Sequence, residues 1–466
     1  MKLLQILKNN EFYSNLLLII ITLGWSLLFI TKHAFFASFV FFLPCAILAS
    51  IAIPNLALFF SICSLFIFRY SYSEGIISIF PFDLLFILLL LTPLFIFSKV
   101  KYKEEKPDKN FITLTLLYIV FFTICIFSFF LNMPHLENTV LYTSIWYMYR
   151  CFQLVFLIIV LTWLRITTKN IEKIFDIIIL LALVQLPIVI FQTINNDSVT
   201  GTFTNHHGYI ASFMIIPFFL SIYKGINCYI QKKNILIVSY YFIISAIILY
   251  IIYASSCRSI LVGLFISSTI FIILLLLNSN FKIIIITLLL VGLFSYVSIK
   301  FTPLSDVIER STNSSETAYK VDLSGVSRIL IWKYTWIKFI NFPLVTKLFG
   351  IGIGTFSFMN LNFVFWNGSK HISGAHFNLF HVLIETGILG ILTFMTIFIY
   401  KLKILYQYRS HLIAKTGFYM FLSFLLSGFT QETIWFQNSF GVIWFTLLFV
   451  FLLILKHISN AELLKK

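Results

Sequence analysis

The run ILIVSYYFIISAIILYIIY, residues 235–253, contains no charged side chain and is long enough to cross a bilayer as a helix. Similar apolar runs recur along the whole chain of 466 residues. Hydrophobic residues make up 60% of the sequence and charged residues 11%, and the mean hydropathy is +0.99. Because these values lie far outside those of soluble domains, the sequence predicts an all-α, polytopic integral membrane protein.

Polar interruptions divide the chain into fourteen candidate transmembrane spans. The segment Ile53-Pro54-Asn55 is the only interruption between residues 34 and 70, so the predicted count is twelve to fourteen. The spans are predicted at residues 12–30, 34–50, 53–70, 78–98, 111–131, 147–164, 172–192, 205–223, 235–253, 258–277, 281–299, 379–400, 413–430 and 438–455.

Basic residues are concentrated in alternate short loops between the spans. By the positive-inside rule, these loops and both chain termini are predicted to be cytoplasmic. The net charge of +16 is then a signal of membrane topology, and it does not indicate nucleic-acid binding. The residues that carry this signal are Lys99, Lys101, Lys103, Lys106, Lys109, Arg165, Lys169, Lys173, Lys224, Lys232, Lys233, Lys401, Lys403, Arg409 and Lys415.

The chain is predicted to have four regions. Residues 1–200 form N-terminal transmembrane helices, and residues 201–300 form transmembrane helices that carry the strings NHH and SSCRS. Residues 301–378 form a long outward-facing loop with an amphipathic helix from about residue 328 to residue 341, because apolar side chains recur there at spacings of three and four. Glycines at alternate positions in GIGIGTF predict a tight turn after that helix. Residues 379–466 form the C-terminal transmembrane helices.

Charged and polar side chains at the predicted outer ends of spans are candidate ligands. Arg258 opens a span in ASSCRSILVG, Arg328 begins the amphipathic helix, and Arg150 lies near the start of another span. Charges at that depth are costly unless they are paired or face a wet cavity, although a snorkelling or ion-paired anchor is the alternative for each. Asn205 and His206, in GTFTNHHGYIASF, open a further span on the same side.

Three polar residues after the loop share one helix face. Asn378, His381 and Glu385 are spaced three and four residues apart, whereas His376 projects from the opposite side unless the helix begins only after it. His371, His376 and His381 recur every five residues, so their rings cannot all face one ion. The sequence therefore predicts a polar site at this position that contains no metal.

Four strings between residues 201 and 390 carry a resemblance to a known family. GTFTNHHGYIASF, ASSCRSILVG, SRILIWKYTWIKF with FGIGIGTFSF, and AHFNLFHVLIETGILG are similar, in this order, to the motif series of the O-antigen ligase and O-antigen polymerase superfamily of bacterial membrane glycosyltransferases. One position departs from the pattern, because the family often has Asn directly after this histidine. Here Phe377 follows His376 and Asn378 comes one residue later, which puts a role for Asn378 in doubt.

The resemblance implies a transfer of glycan from undecaprenyl diphosphate to an acceptor hydroxyl, on the periplasmic side of the bacterial inner membrane. It implies no nucleotide sugar, no metal and no other cofactor. The implied partners are a lipid-linked glycan donor, a glycan acceptor and the lipid bilayer, but no nucleic acid. A chain-length regulator is a further candidate partner.

The chemistry of these side chains suits such a reaction. A lipid diphosphate leaving group gathers negative charge, which guanidinium groups stabilise, and the acceptor hydroxyl needs a proton acceptor or a group that orients it. The predicted diphosphate ligands are Arg258, Arg328 and, as a weaker third, Arg150. The predicted catalytic residues are His376, as the first choice for the base, with His381 and Glu385. The residues predicted to contact glycan or to line the mouth of the site are Asn205, His206, Trp332 and Trp336, of which the tryptophans are equally consistent with membrane-interface anchors.

Within this resemblance, polymerase and ligase differ only in the acceptor. A polymerase transfers the chain to another carrier-linked repeat, and a ligase transfers it to a sugar of the lipid A core. The polymerase is the preferred prediction, and the ligase is the alternative. A rival from another class is a flippase of lipid-linked sugars, which is expected to place ionisable residues near the bilayer midplane within repeated halves.

Overall fold

The computed structural model describes residues 72–74, 77–79, 109–163, 166–195, 197–201, 207–276, 323–359, 374–429, 435 and 438–463. The spans predicted at residues 12–30, 34–50, 53–70 and 281–299 lie outside the described residues, as does nearly all of the span predicted at residues 78–98.

The described residues form twelve α-helices, two short 3-10 turns and one pair of short strands. The strands are β1 (Tyr72–Glu74) and β2 (Ile77–Ile79), which pair with each other in a two-stranded sheet. The helices are α1 (Lys109–Asn132), α2 (Asn138–Trp163), α3 (Thr168–Leu183), α4 (Gln185–Ile194), α5 (His207–Ile230), α6 (Ile235–Ala254), α7 (Arg258–Leu276), α8 (Leu323–Ile340), α9 (Leu344–Phe349), α10 (Asn378–Gln407), α11 (Leu412–Ser427) and α12 (Asn438–Leu463). All twelve helices belong to one compact unit that includes Glu105–Lys466.

Seven stretches of helix among the described residues are long and apolar enough to cross a membrane. They are α1, α2, the continuous stretch of α3 and α4, α5, α6, α10 and α12. The prediction of a helical, polytopic membrane protein is thereby confirmed, with the β1–β2 pair as its one exception in the described part of the chain. The predicted total of twelve to fourteen spans and the predicted orientation stay predictions.

The start of α2 differs from the prediction. The span predicted from residue 147 begins at Asn138, because the polar residues before it form the first turns of the helix instead of a loop. The Thr143 hydroxyl donates a 2.9 Å hydrogen bond to the carbonyl of Thr139, so this side chain is satisfied within the helix. Arg150 therefore lies twelve residues into the helix, roughly 18 Å from its first residue. The prediction that Arg150 lies at the outer end of a span is wrong.

The end of α10 also differs, since the helix continues past the predicted limit at residue 400. Lys401, which was predicted in a cytoplasmic loop, is fully buried in the helix bundle. Its Nζ donates a 2.7 Å hydrogen bond to the Tyr118 hydroxyl. Aromatic rings surround the ammonium group at 5.1 to 5.7 Å, and they belong to Tyr118, Phe398, Phe421 and Phe451. These rings replace part of the hydration that the lysine loses, and sequence spacing does not reveal them.

Lys224 was likewise predicted in a loop and lies within α5. Its Nζ is 2.7 Å from Glu172 Oε2 and 2.9 Å from Asp176 Oδ2, both in α3. Nε2 of His457, in α12, is 2.9 Å from Glu172 Oε1. This ion network ties α3, α5 and α12 together at one end of the bundle. We call the opposite end, where α1 and α11 end and α7 and α10 begin, the His376 end.

Two helices form the centre of the bundle. α5 and α12 are almost entirely buried, whereas only about a third of α1 and of α6 is buried, and both helices expose apolar side chains. The α5 helix carries Pro217 in its interior. A second proline, Pro187, lies in the first turn of α4 and accounts for the break between α3 and α4 at Val184, because a proline clashes with the preceding helical turn.

A segment of the predicted outer loop enters the bundle at the His376 end. The amide of Ile351 donates to the carbonyl of Ile384, and that of Gly352 donates to the carbonyl of Glu385, at 2.9 and 3.3 Å. These carbonyls are available because α10 is interrupted at Gly387, where φ is 69° and ψ is −167°. The residues from Leu344 to Met359, which we call the inserted segment, therefore pack against the membrane helices.

Close packing at the inserted segment requires glycine at two positions. Gly350 has φ of 81°, and a Cβ there would collide with the backbone of Glu385. A Cβ at Gly387 would collide with the carbonyl of Leu348. Since both glycines also have left-handed backbone angles, a side chain at either site is excluded by sterics and by conformation. The predicted tight turn in GIGIGTF is thus confirmed, and its purpose is a close approach between two backbones.

Candidate functional site

The helix that carries the predicted polar cluster begins only after His376. α10 starts at Asn378, and its N-cap residue Phe377 has extended backbone angles. His376 has φ of 51°, a left-handed conformation that residues other than glycine rarely adopt. The backbone therefore turns sharply between the loop and α10, and the half-buried His376 is free of the helical spacing that would direct it away from Asn378.

Three helix ends meet around the start of α10. The amide of Asn378 donates a 3.1 Å hydrogen bond to the carbonyl of Gly428, which directly follows α11. Gly263 of α7 packs against Ser427 of α11 so closely that a Cβ on it would collide. Because Arg258 is the first residue of α7 and lies five residues before Gly263, its backbone lies at the same end of the bundle as His376.

Arg328 approaches the same place from α8. Burial raises the pKa of the Cys257 thiol, and the positive charge of Arg328 acts in the opposite direction. Arg328 also acts electrostatically on His207, the first residue of α5. The half-buried guanidinium therefore lies near the starts of both α5 and α7, and Cys257 directly precedes Arg258.

Three predicted binding residues fall wholly or partly outside the described residues. They are Asn205 and His206, which precede α5, and Arg258, of which only the backbone is described. Their distances from Arg328 and His376 therefore stay predictions.

His381 and Glu385 form a buried network within the first part of α10. Both side chains are 1% exposed, and His381 Nε2 lies 3.2 Å from Glu385 Oε1. The same oxygen accepts a hydrogen bond from the Phe356 amide at 3.0 Å, and Glu385 Oε2 accepts one from Trp435 Nε1 at 2.9 Å. The ring of His381 packs against those of Phe356 and Trp435, with centroids 4.7 and 5.6 Å apart. Both carboxyl oxygens are thus held by protein groups.

Part of the chain that forms this region matches a known sequence family. Residues 243–395 match the family model of O-antigen ligase. This match confirms the resemblance to the O-antigen ligase and polymerase superfamily, and the matched segment includes Arg258, Arg328, His376 and Glu385. No curated protein sequence matches the chain at a significant level.

The O-antigen ligase family indicates an enzyme of the membrane glycosyltransferase type. His376 and Arg328, both half-buried, lie within the matched segment. The match ends at residue 395, so it excludes Gly428, which directly follows α11, and Trp435, in the link between α11 and α12, although both contact this region.

Two residues of α1 also belong to the region, and sequence reasoning missed them. The Ser128 hydroxyl donates a 2.7 Å hydrogen bond to the carbonyl of Glu385. Asn132 Nδ2 donates to the carbonyl of Gly350 at 3.2 Å. Both side chains hold the inserted segment and the break in α10 in register. Ser128 lies inside an apolar run and gives no signal in the sequence, whereas an amide at the end of a span, such as Asn132, is a detectable one.

Trp435 is a third residue that sequence reasoning missed. It lies in the link between α11 and α12, yet its side chain is completely buried. Its ring packs near those of Phe121 and Phe394 and stacks on Trp444 at 6.1 Å. A tryptophan in a polar break between two spans was open to interpretation as an interface anchor, and no spacing rule links it to Glu385.

Arg150 lies deeper in the helix bundle than was predicted. It is 2% exposed in the middle of α2, where Nη1 donates a 2.9 Å hydrogen bond to Gln153 Oε1. The guanidinium also lies over the ring of Trp146, 5.0 Å from its centroid. These contacts are those of a charge held inside the bundle, and the polar start of α2 is the reason that its depth was misjudged.

The two predicted tryptophans of α8 have different surroundings. Trp332 Nε1 donates a 3.0 Å hydrogen bond to the carbonyl of Ala375, and its ring lies 5.6 Å from that of Phe377. Trp332 thus fastens α8 to the residues on both sides of His376. Trp336 is 48% exposed, stacks on Phe339, and its ring lies 6.4 Å from that of Phe380 in α10.

Proposed function

We propose that this protein is a polysaccharide polymerase of the O-antigen or capsule type, which transfers a glycan from undecaprenyl diphosphate to the hydroxyl of an acceptor glycan. The observation that carries the proposal is the convergence of Arg328, the start of α7 and His376 at one end of the bundle, within the segment that matches the O-antigen ligase family. By topology we assign this end to the periplasmic side of the bacterial inner membrane.

In the proposed reaction, the bond between the anomeric carbon of the donor and the diphosphate oxygen breaks. A new bond forms between that carbon and the acceptor oxygen, and the hydroxyl proton moves to the imidazole of His376. Undecaprenyl diphosphate leaves with the bonding electron pair, and Arg258 and Arg328 stabilise the negative charge on its oxygens. The permanent charge of arginine suits a leaving group that is ionised throughout.

We assign His381 and Glu385 to positioning and not to proton transfer. Both side chains are 1% exposed, and the carboxyl oxygens already accept hydrogen bonds from Phe356 and Trp435. A group so enclosed has no free position for a sugar hydroxyl. Its role is to fix the first part of α10, and with it the turn at His376. For Asn205, His206 and Trp332 we retain a role at the mouth of the site.

The test uses membrane vesicles with the periplasmic face outward and a lipid-linked repeat as donor and acceptor. We expect His376→Ala and Arg328→Ala to lower the rate of chain extension roughly 10²- to 10⁴-fold while the protein remains in the membrane. Arg258→Ala should behave in the same way. The matched control is His411→Ala, at the opposite end of the bundle, which should extend chains at the normal rate. Normal glycan length with both His376→Ala and Arg328→Ala would refute the proposal.

Ligation to the lipid A core is the second candidate, because the matched family model is described as O-antigen ligase. The chemistry at the donor is the same, so the site residues do not separate the two functions. A deletion strain does separate them. A polymerase defect leaves single repeats attached to the core, whereas a ligase defect abolishes attachment altogether.

Flipping of a lipid-linked sugar is the third candidate. The buried positions of Arg150 and Lys401 favour it, since ionisable residues deep within spans are common in transporters. The same vesicles distinguish this function, because a flippase translocates the lipid-linked repeat without extending it. Translocation that survives in His376→Ala but requires Arg150 would support transport over transfer.

A further inference from the structure

Two helices of the predicted outer loop expose apolar side chains that the bundle does not cover. Ile329, Trp336 and Ile340 of α8 are 62%, 48% and 47% exposed, and Leu344 and Val345 of α9 are 73% and 54% exposed. We call these five residues the α8–α9 apolar face. Isolated exposed apolar residues are ordinary, but five neighbours on two consecutive helices form a patch that marks an interaction surface.

The patch lies on one side of α8, and the site lies on the other. Positions 329, 336 and 340 are separated by seven and four residues, which places them on one helix face. Ile331, Thr335 and Phe339 are buried on a second face, centred roughly 120° away around the helix, together with the half-buried Arg328. The helix therefore separates the candidate site from whatever covers the α8–α9 apolar face.

The contacts of α9 give its depth relative to the membrane helices. Phe349 packs on Phe127, with ring centroids 6.3 Å apart, and Phe127 lies five residues before the end of α1, roughly 8 Å along the helix. Leu348 approaches Gly387, which lies nine residues into α10, roughly 14 Å from its start. α9 therefore lies at a level where α1 and α10 are within the bilayer.

The patch is also continuous with a surface that must face lipid. Phe127 and Phe130 of α1, beside α9, are 54% and 60% exposed on a helix of membrane-spanning length. Because acyl chains cover those side chains, the same layer reaches Leu344 and Val345. The neighbouring exposed residues thus indicate a lipid surface as the occupant of the patch.

The charges around the patch fit a particular kind of lipid. Residues 323–359 contain no acidic side chain and carry Arg328, Lys333, Lys338 and Lys347. Lys333 is exposed between the apolar residues of α8, so its apolar stem can lie along them while its ammonium group reaches the headgroups. Basic side chains beside an apolar helix face are attracted by anionic headgroups.

We propose that the α8–α9 apolar face docks into the boundary between acyl chains and headgroups of the leaflet at the His376 end, and that Lys333 and Lys347 bind anionic lipid headgroups. α8 then lies in the membrane surface, with Arg328 at the level of the lipid phosphates. The docking itself is independent of the proposed function, because any activity at this site would use the same surface. Under the proposed function, it sets the depth at which a lipid diphosphate meets Arg328.

The experiment measures the surroundings of single spin labels on the full chain. Labels are attached to Trp336→Cys, Ile340→Cys and Leu344→Cys, with Lys338→Cys as the control on another face of α8, in vesicles of phosphatidylethanolamine and phosphatidylglycerol. The unmodified chain, with its six native cysteines, is the labelling blank. We expect collisions with oxygen to exceed those with a water-soluble nickel chelate at the first three positions, and the reverse at residue 338.

Two results would overturn the docking. Nickel access at residues 336 and 340 equal to that at residue 338 means that the face is in water. Dipolar broadening between labels on different copies, lost on dilution with unlabelled protein, means that a second copy covers it. In phosphatidylcholine vesicles, the label at residue 340 should move toward the water, and an unchanged depth would refute the binding of anionic headgroups. The readout needs no turnover, so it stands or falls separately from the chain-extension assay.

Discussion

Glu385 and Lys401 lie on the same helix, on either side of the interruption at Gly387, and the protein buries their charges by different means. Glu385 is 1% exposed and receives hydrogen bonds on both oxygens, from the inserted segment and from the link before α12. Lys401 is fully buried and has a hydrogen bond to Tyr118 together with four surrounding rings. The first charge organises irregular backbone, and the second lies between regular helices.

The difference indicates what each half of α10 does. Irregular backbone at membrane depth is tolerated only where its polar groups are satisfied, and the carboxyl of Glu385 satisfies the Phe356 amide and the Trp435 indole at once. The half before Gly387 therefore depends on polar contacts that hold His376 in place. The half after Gly387 packs as an ordinary membrane helix, in which an aromatic cage is sufficient to accommodate one cation.

Among substitutions in the two halves of α10, Glu385→Ala should destabilise the protein most. Removal of the carboxyl leaves two buried N–H donors and a buried imidazole without their partner, which costs about 3–5 kcal/mol. We expect a large loss of stability in thermal unfolding in detergent, together with loss of chain extension. Glu385→Gln, which keeps an acceptor oxygen, should fall between this variant and the wild type.

The matched control is Glu462→Ala, an exposed carboxyl near the end of α12, for which unfolding should be unchanged. Equal melting temperatures for Glu385→Ala and Glu462→Ala would show that the hydrogen bonds of Glu385 do not stabilise the fold. The contrast with the second half of α10 would then have no energetic basis.

Trp435→Phe should have an intermediate effect, since it keeps an aromatic ring but removes the indole N–H and part of the ring volume. A buried acceptor that is left without its donor costs about 1–3 kcal/mol. We expect Trp435→Phe to lower the free energy of unfolding by this amount in the wild-type protein and by less in the Glu385→Gln variant. A double-mutant cycle measures the difference. Equal losses in both backgrounds would mean that Trp435 stabilises through packing on Phe121 and Trp444 alone.

The sequence was sufficient for the helical membrane class and for the cluster around α10, because both depend on local periodicity. The spacing of Asn378, His381 and Glu385 predicts one face, and the structure has His381 and Glu385 in contact. Depth was harder to judge. Arg150 and Lys401 were predicted near span ends because a charge normally marks an end, and the contacts that permit burial come from residues distant in sequence.

The inserted segment shows the same limit of prediction from sequence, here for backbone that was predicted to lie outside the helix bundle. Its glycines were correctly interpreted as a turn, but the contacts of Gly350 with Glu385 and Asn132, and of Leu348 with Gly387, are known only when the helices are packed. Polar residues between spans suggested a loop in water, whereas hydrogen bonds to a broken helix allow this backbone to lie at membrane depth. Composition indicates which residues tolerate contact with water, but only tertiary contacts show which of them are exposed to water.

Of the three substitutions, Lys401→Met should change stability least. It tests most directly whether the two halves of α10 bury polar groups by different means. A buried charge replaced by an apolar side chain of similar length loses one hydrogen bond and its interaction with the rings, but it also loses the cost of desolvating the ammonium group. We expect thermal stability within about 1 kcal/mol of the wild type, with normal chain extension, and the same for the exposed control Lys403→Met. A loss as large as that of Glu385→Ala would mean that both halves of α10 depend on polar contacts. Lys401 would then be a functional residue, and the result would favour transport through the bundle over glycan transfer at the His376 end.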